Sequence, residues 1–293
     1  MKHFIFIIVF FSFAALLFQS CSDLNNDITP PQTVTAAHQT GILDKTSPNF
    51  HGNLVRMANW DMSSCWQCHD RKYTGGLTGV SCLKCHTEIK GPEACNTCHG
   101  DFNNANRIAP PRDTEGNTST TYKGVGAHQS HLNNNDFGSV IPCGTCHTVP
   151  DSLYQSGHLN PSLPGGIIFN LLSIHNGASP EFNTGDNTCS NSYCHGNFTF
   201  YKDSSDAQNK FMFNDSVMVN NQVAMIGNNK TVKWTDVGGK EANCGTCHGL
   251  PPQGHKYAPL KDCAGCHPGV VDANGNIIDR SKHINGVVNV FGH

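Results

Sequence analysis

Fourteen of the chain's 15 cysteines stand in seven pairs, and a histidine follows the second cysteine of every pair. Six pairs read Cys-x-x-Cys-His: Cys65/Cys68/His69, Cys82/Cys85/His86, Cys95/Cys98/His99, Cys143/Cys146/His147, Cys244/Cys247/His248 and Cys263/Cys266/His267. The seventh, Cys189-Ser-Asn-Ser-Tyr-Cys194-His195, has four residues between its thiols. Two thiols a turn apart can each add to one vinyl group of the same porphyrin, and the adjacent imidazole then falls under the iron. The spacing therefore predicts seven covalently attached haem c groups, the widened pair being served by a looser loop. Zinc ribbons join two knuckles per metal and do not require a histidine after each one. A disulfide framework has no use for that histidine at all.

A six-coordinate iron needs a second axial ligand, and the histidine count can supply it. Of 17 histidines, His3 lies in the N-terminal apolar stretch and seven follow the cysteine pairs, which leaves nine. His51, His128, His131, His158, His255 and His283 are the strongest distal candidates. The seventh distal ligand is a choice among His38, His175 and His293. Sequence alone does not pair a distal histidine with a haem.

The elements that position these residues must be small. After residue 20 the chain has 273 residues for seven sites, one per 39. Charged residues make up only 14%, and long apolar-periodic segments are missing. The expected architecture is a mostly irregular multihaem cytochrome c fold with short helices at the haem motifs, few strands, a small β-rich insert and a core packed with haem. Residues 49–123 form an N-terminal three-haem region, 124–196 a middle two-haem region, 197–240 the β-rich insert and 241–293 a C-terminal two-haem region. Strands within the insert are expected at Asn197 to Tyr201, Lys210 to Val219 and Lys230 to Trp234, where β-branched and aromatic residues lie between Asn and Gly turns.

The N-terminus reads as an address. Lys2 precedes an apolar run from Phe4 to Phe18, shorter than a membrane span, and Cys21 follows. Residues 1–20 are expected to be a lipoprotein signal peptide, with the Cys21 thiol acylated and 21–48 a flexible tether. The alternative is ordinary signal cleavage nearby with Cys21 left as a free thiol. Either way the chain is exported, and the lipoprotein reading places it at the outer membrane, on its periplasmic or cell-surface side. A formal charge of -3 argues against a nucleic-acid partner.

Several stretches carry a resemblance across most of the mature chain. They include Tyr73-Thr-Gly-Gly76, Ala109-Pro-Pro111, Gly126-Ala-His128-Gln-Ser-His131, Cys143-Gly-Thr-Cys146-His147-Thr-Val-Pro150, Cys244-Gly-Thr-Cys247-His248-Gly249 and His283-Ile-Asn-Gly286. With the mixed cysteine spacing, they resemble the CxxxxCH/CxxCH multihaem cytochromes of metal-reducing bacteria. The resemblance implies an outer-membrane or extracellular electron carrier and supports His128, His131, His158, His255 and His283 as ligands. Its partners would be other redox proteins or external electron acceptors, with the membrane reached through a lipid anchor and oligomers possible.

The leading functional expectation is an electron-transfer conduit of bis-histidine haems, not an enzyme. The alternative is a multihaem reductase of a small molecule such as nitrite or sulfite. That chemistry needs an open iron position, often announced by lysine in place of a motif histidine, and all seven motifs here end in histidine. A third class, a subunit of a conductive cytochrome filament, would use His38 or His293 to reach a neighbouring copy.

Overall fold

Most of the cysteine pairs close a helical turn too short to propagate. In four motifs the histidine N–H donates back to the carbonyl of the first cysteine: His86 to Cys82 at 3.0 Å, His99 to Cys95 at 2.9 Å, His147 to Cys143 at 2.9 Å and His267 to Cys263 at 2.8 Å. Glycine, proline and asparagine around these turns supply no continuing periodicity, so nucleation is not followed by growth. The computed structural model describes residues 38–104, 108, 112–133, 137–159, 166–238 and 240–292. The expected signal peptide, Cys21, most of the tether, Ala109-Pro-Pro111 and His293 lie outside the described residues.

The chain divides into two compact units, Met1–Ala58 and Asn59–His293. In the first, hydrogen-bonded turns begin at Gly41, inside the stretch expected as tether. Asp44 N–H donates to the Gly41 carbonyl and Ser47 N–H to the Asp44 carbonyl, both at 3.0 Å. The Asp44 carboxylate accepts from the backbone and hydroxyl of Thr46 at 2.9 and 2.7 Å. These turns lead into α1, His51–Met57.

The second unit carries all seven motifs. Helices α2 (Trp66–His69), α3 (Cys95–Cys98) and α5 (Cys263–Cys266) are motif turns, whereas α4 (His128–Leu132) lies between motifs. Single 3-10 turns at Cys82–Lys84, Cys143–Thr145 and Tyr193–His195 serve three more motifs. Cys244 to Cys247 is a bare turn, held by the Thr246 hydroxyl donating to the Asn243 carbonyl at 2.7 Å. No helix among the described residues is long and apolar enough to cross a membrane.

Two small antiparallel sheets complete the unit. The first has the order β1–β2–β6, from Glu181–Asn183, Thr188–Ser190 and Val232–Lys233; the second has the order β3–β5–β4, from Thr199–Tyr201, Gln222–Ile226 and Met218–Val219. The β region is therefore not confined to 197–240: β6 pairs with β2, which lies upstream of the expected insert and carries Cys189 opposite Val232. Of the expected Lys210 to Val219 strand, Met218–Val219 is a strand and Phe213 forms an isolated antiparallel bridge to His255. Ala207–Met212 is 3-10, and the Asn214 side chain turns the chain by accepting from Ser216 N–H at 3.1 Å. The longest strand, β5, falls where no strand was expected.

These sheets act as a clamp. The loop after β5 donates Asn228 N–H to the Cys247 carbonyl, Asn229 N–H to Gly196 and Lys230 N–H to His195, at 2.9 to 3.0 Å. It thereby pins the fifth motif against the sixth. Across the other edge, Asn214 N–H donates to the Gly254 carbonyl at 2.8 Å and Lys256 N–H to Met212 at 2.7 Å, which places His255.

Side chains alone do not fill this unit. Among the described residues, the largest fully buried side chains are Val125 and Thr145. Val140, Ile168 and Val287 are 62%, 60% and 62% exposed, and all three line one partly open cavity of about 2580 Å³. A single small-molecule site occupies roughly 300–1,000 Å³, so this volume is several ligands deep.

Candidate haem-ligand centre

The cavity collects five of the seven motifs. Its walls include the cysteines and histidine of the pairs beginning at Cys95, Cys143, Cys189, Cys244 and Cys263, together with five free histidines: His128, His131, His158, His255 and His283.

Within it, imidazoles meet two by two. The ring of His99 faces that of His158 at 6.1 Å between centroids with planes 21° apart, and His128 faces His147 at 6.2 Å and 24°. His131 faces His195 at 6.1 Å and 70°, and His248 faces His283 at 6.2 Å and 65°. Each pair joins one motif histidine to one free histidine. Two imidazoles on opposite sides of one metal have centroids roughly 6.3 Å apart, from two metal–nitrogen bonds of about 2 Å and two ring half-widths of about 1.15 Å. All four separations fit that span.

The second ring nitrogen of many of these histidines is already committed. His128 Nδ1 bonds the Val125 carbonyl and His131 Nδ1 the Ala127 carbonyl, both at 2.8 Å; His158 Nδ1 bonds Leu153 at 3.0 Å. His255 Nδ1 bonds the Lys256 carbonyl, His283 Nδ1 that of Phe137, and His51 Nδ1 that of Ile42. Among the motif histidines, His248 bonds Gly249 and His267 bonds Asn289, both at 2.7 Å. A carbonyl on Nδ1 fixes the tautomer that leaves Nε2 as the lone-pair donor, the usual supporting contact of a metal-bound histidine. All six histidines singled out from sequence outside the motifs share this contact.

Electrostatics favours the neutral rings that ligation requires. Burial lowers His128 and His195 to about 4, and neighbouring histidines push the same way. Burial also lowers His99 and His283, with His158 and His248 respectively adding to the shift. Burial drives the thiols of Cys98, Cys146, Cys189 and Cys194 up to about 11. Thiols held neutral in this way are poor metal thiolates and poor nucleophiles. All fourteen motif cysteines are free.

Among the described residues no three His, Cys, Asp or Glu side chains converge as a metal cluster. Donors arriving in twos suit a planar tetrapyrrole, which brings the other four ligands itself. The apolar walls, the paired imidazoles and the adjacent thiols fit haem c at the sites of His99, His147, His195 and His248. His267 and His255 line the same cavity without a facing ring contact.

The widened motif has a structural explanation. Cys189 sits on β2 and Cys194 on the Tyr193–His195 turn, so the additional residues are the corner between strand and turn. Asn191 makes that corner at φ +58°, and its carbonyl accepts from Asn197 Nδ2 at 2.8 Å.

The first two motifs lie outside the cavity lining. His69 Nδ1 approaches the Thr78 hydroxyl at 3.1 Å, and His86 packs edge-on against Phe102 at 5.1 Å. Cys65, Cys68 and Cys85 are exposed, and Cys82 is half-buried. Of the three candidates for the seventh distal ligand, His175 packs edge-on against Tyr193 at 4.8 Å and His38 is exposed. His293 lies outside the described residues. Trp234, which touches two of the paired histidines, was not singled out from sequence. No family model matches the chain, and no curated protein or solved structure matches it.

Proposed function

We propose that the chain is a multihaem c-type cytochrome acting as an electron-transfer conduit, of the CxxxxCH/CxxCH kind, exported and anchored through Cys21 at the outer membrane. The observation that carries this reading is the set of four motif-to-free histidine pairs, each 6.1 to 6.2 Å apart, in one apolar cavity. Bound haem supplies the redox-active iron. The chain's own residues do the rest: cysteine pairs fix the porphyrin edge, carbonyls on Nδ1 aim Nε2, and aliphatic walls exclude water. With a protein ligand on both faces, a site has no open position for substrate, which favours carrier over reductase. Electron transfer falls off steeply with the gap between centres, so several sites sharing one cavity suit a relay.

The test is expression of the full chain with export and a haem c maturation system, followed by haem quantification and electron paramagnetic resonance. The expected result is seven haems per chain, predominantly low-spin, reduced to six in the Cys189→Ala/Cys194→Ala double variant. A folded chain that takes up no haem under these conditions, or that binds zinc at its cysteine pairs instead, would overturn the proposal.

A further inference from the structure

Helix α4 is only five residues long, yet it supplies two of the four paired free histidines. His128 and His131 stand three apart, hence on one face, and they meet different motif histidines, His147 and His195. So short a helix has little rigidity of its own, and its ring orientations must be fixed from outside.

Trp234 supplies that fixing. Its ring stands edge-on to His128 at 4.7 Å and 88°, and stacks on His131 at 5.7 Å and 27°. The indole is held at both ends. Nε1–H donates to the Lys123 carbonyl at 2.8 Å, and the backbone N–H donates to Asn187 at 2.7 Å as the chain leaves β6. Through β6 and β2 the same residue is tied to the strand carrying Cys189. Room for the ring comes from Gly126, two residues before His128. A Cβ there would fall 1.9 Å from Trp234 Nε1, and the backbone has φ +40°.

We propose that Trp234 is the positioning residue for two neighbouring ligand sites at once, holding the imidazole planes of His128 and His131 at their different angles to His147 and His195. This rests on the haem reading above. The near-parallel planes at His128/His147 and the crossed planes at His131/His195 give low-spin iron of two spectroscopic kinds, because the relative orientation of axial imidazoles sets the g-anisotropy. Removing the indole leaves the Nδ1–carbonyl contacts of His128 and His131 to hold the two rings without its packing. The stacked His131 loses a broad face contact, and the crossed arrangement relaxes.

The experiment compares haem content and low-temperature electron paramagnetic resonance of wild type, Trp234→Leu, Trp234→Phe and Gly126→Ala, all as the full haem-loaded chain. Wild-type haem content tests the haem reading by itself. Given a loaded wild type, Trp234→Leu should keep its haem content and shift or broaden signal equal to two irons, including loss of large-g intensity equal to one. Trp234→Phe, which keeps a ring but not the N–H, should restore part of that intensity. Gly126→Ala displaces the indole without removing it and should disturb the same two irons. Unchanged spectra in a loaded Trp234→Leu protein, or equal disturbance of every iron, would overturn the inference. If Trp234→Leu does not fold, Gly126→Ala and Trp234→Phe decide on the same criterion.

Discussion

Replacing Gly196 with alanine drives a methyl group into the backbone of a neighbouring motif. Gly196 follows His195 at φ +92°, and a Cβ there would lie 2.0 Å from the Cys247 carbonyl oxygen and 2.8 Å from its carbon. Comfortable contact begins at about 3.5 Å, so the turn bearing Cys247 must retreat by more than about 1 Å. Two costs follow. A left-handed backbone costs a residue with a Cβ about 1–2 kcal/mol, and overpacking against a fixed neighbour adds about 1–3 kcal/mol. Gly116 separates them, because it has φ +93° and nothing within 4 Å of the same position. Gly116→Ala should therefore show only the first cost and Gly196→Ala both, about 2–5 kcal/mol in all. At about 2–4 °C per kcal/mol for a unit of this size, the melting temperature should fall by about 2–8 °C in Gly116→Ala and about 4–20 °C in Gly196→Ala. The assay is thermal unfolding of the haem-loaded chain by circular dichroism, with the three proteins in one buffer. Equal shifts in the two variants would refute the claim that the fifth and sixth motifs meet backbone to backbone.

Histidine replacements should separate by plane angle: His158→Ala should remove one near-parallel low-spin signal, and His283→Ala one crossed, large-g signal, read by electron paramagnetic resonance. Tyr73→Phe removes the hydrogen bond that the Tyr73 hydroxyl donates to Glu93 at 2.5 Å and should cost about 1 kcal/mol in denaturant unfolding. Burial and the Glu93 contact raise the Tyr73 hydroxyl above the usual phenol range. Above about pH 10 the folded state therefore holds a proton that the unfolded chain has lost, and stability falls as pH rises. That alkaline loss should be shallower in Tyr73→Phe. Asn96 is 3% exposed, and its Nδ2 donates to the carbonyls of Asp101 and Phe102 at 3.4 and 3.3 Å. Asn96→Ala should destabilise by about 1–3 kcal/mol, measured the same way.

The cysteine–histidine turns were legible in the sequence because cysteine spacing is a local property. A turn that places His267 N–H on the Cys263 carbonyl is written in five consecutive residues. The pairing was not legible, since His99 with His158 and His248 with His283 depend on where distant loops return. The strands show the same division. Thr199–Tyr201 lies inside an expected strand because of its β-branched and aromatic residues. The hairpin Glu181–Asn183 with Thr188–Ser190 was missed, since three-residue strands are too short for alternation to register. Trp234 carried no signal of its role. One tryptophan at the end of a two-residue strand is locally unremarked, and its meaning comes from Gly126, over a hundred positions earlier.

Placing His128 and His131 on one turn has a thermodynamic consequence. Anything that binds or displaces one of these imidazoles acts on a single helical turn that also carries the other. By linkage, whatever factor the state of the first site imposes on the second is returned undiminished. The two imidazoles are then coupled through their shared turn, the state of each setting a bias on the other.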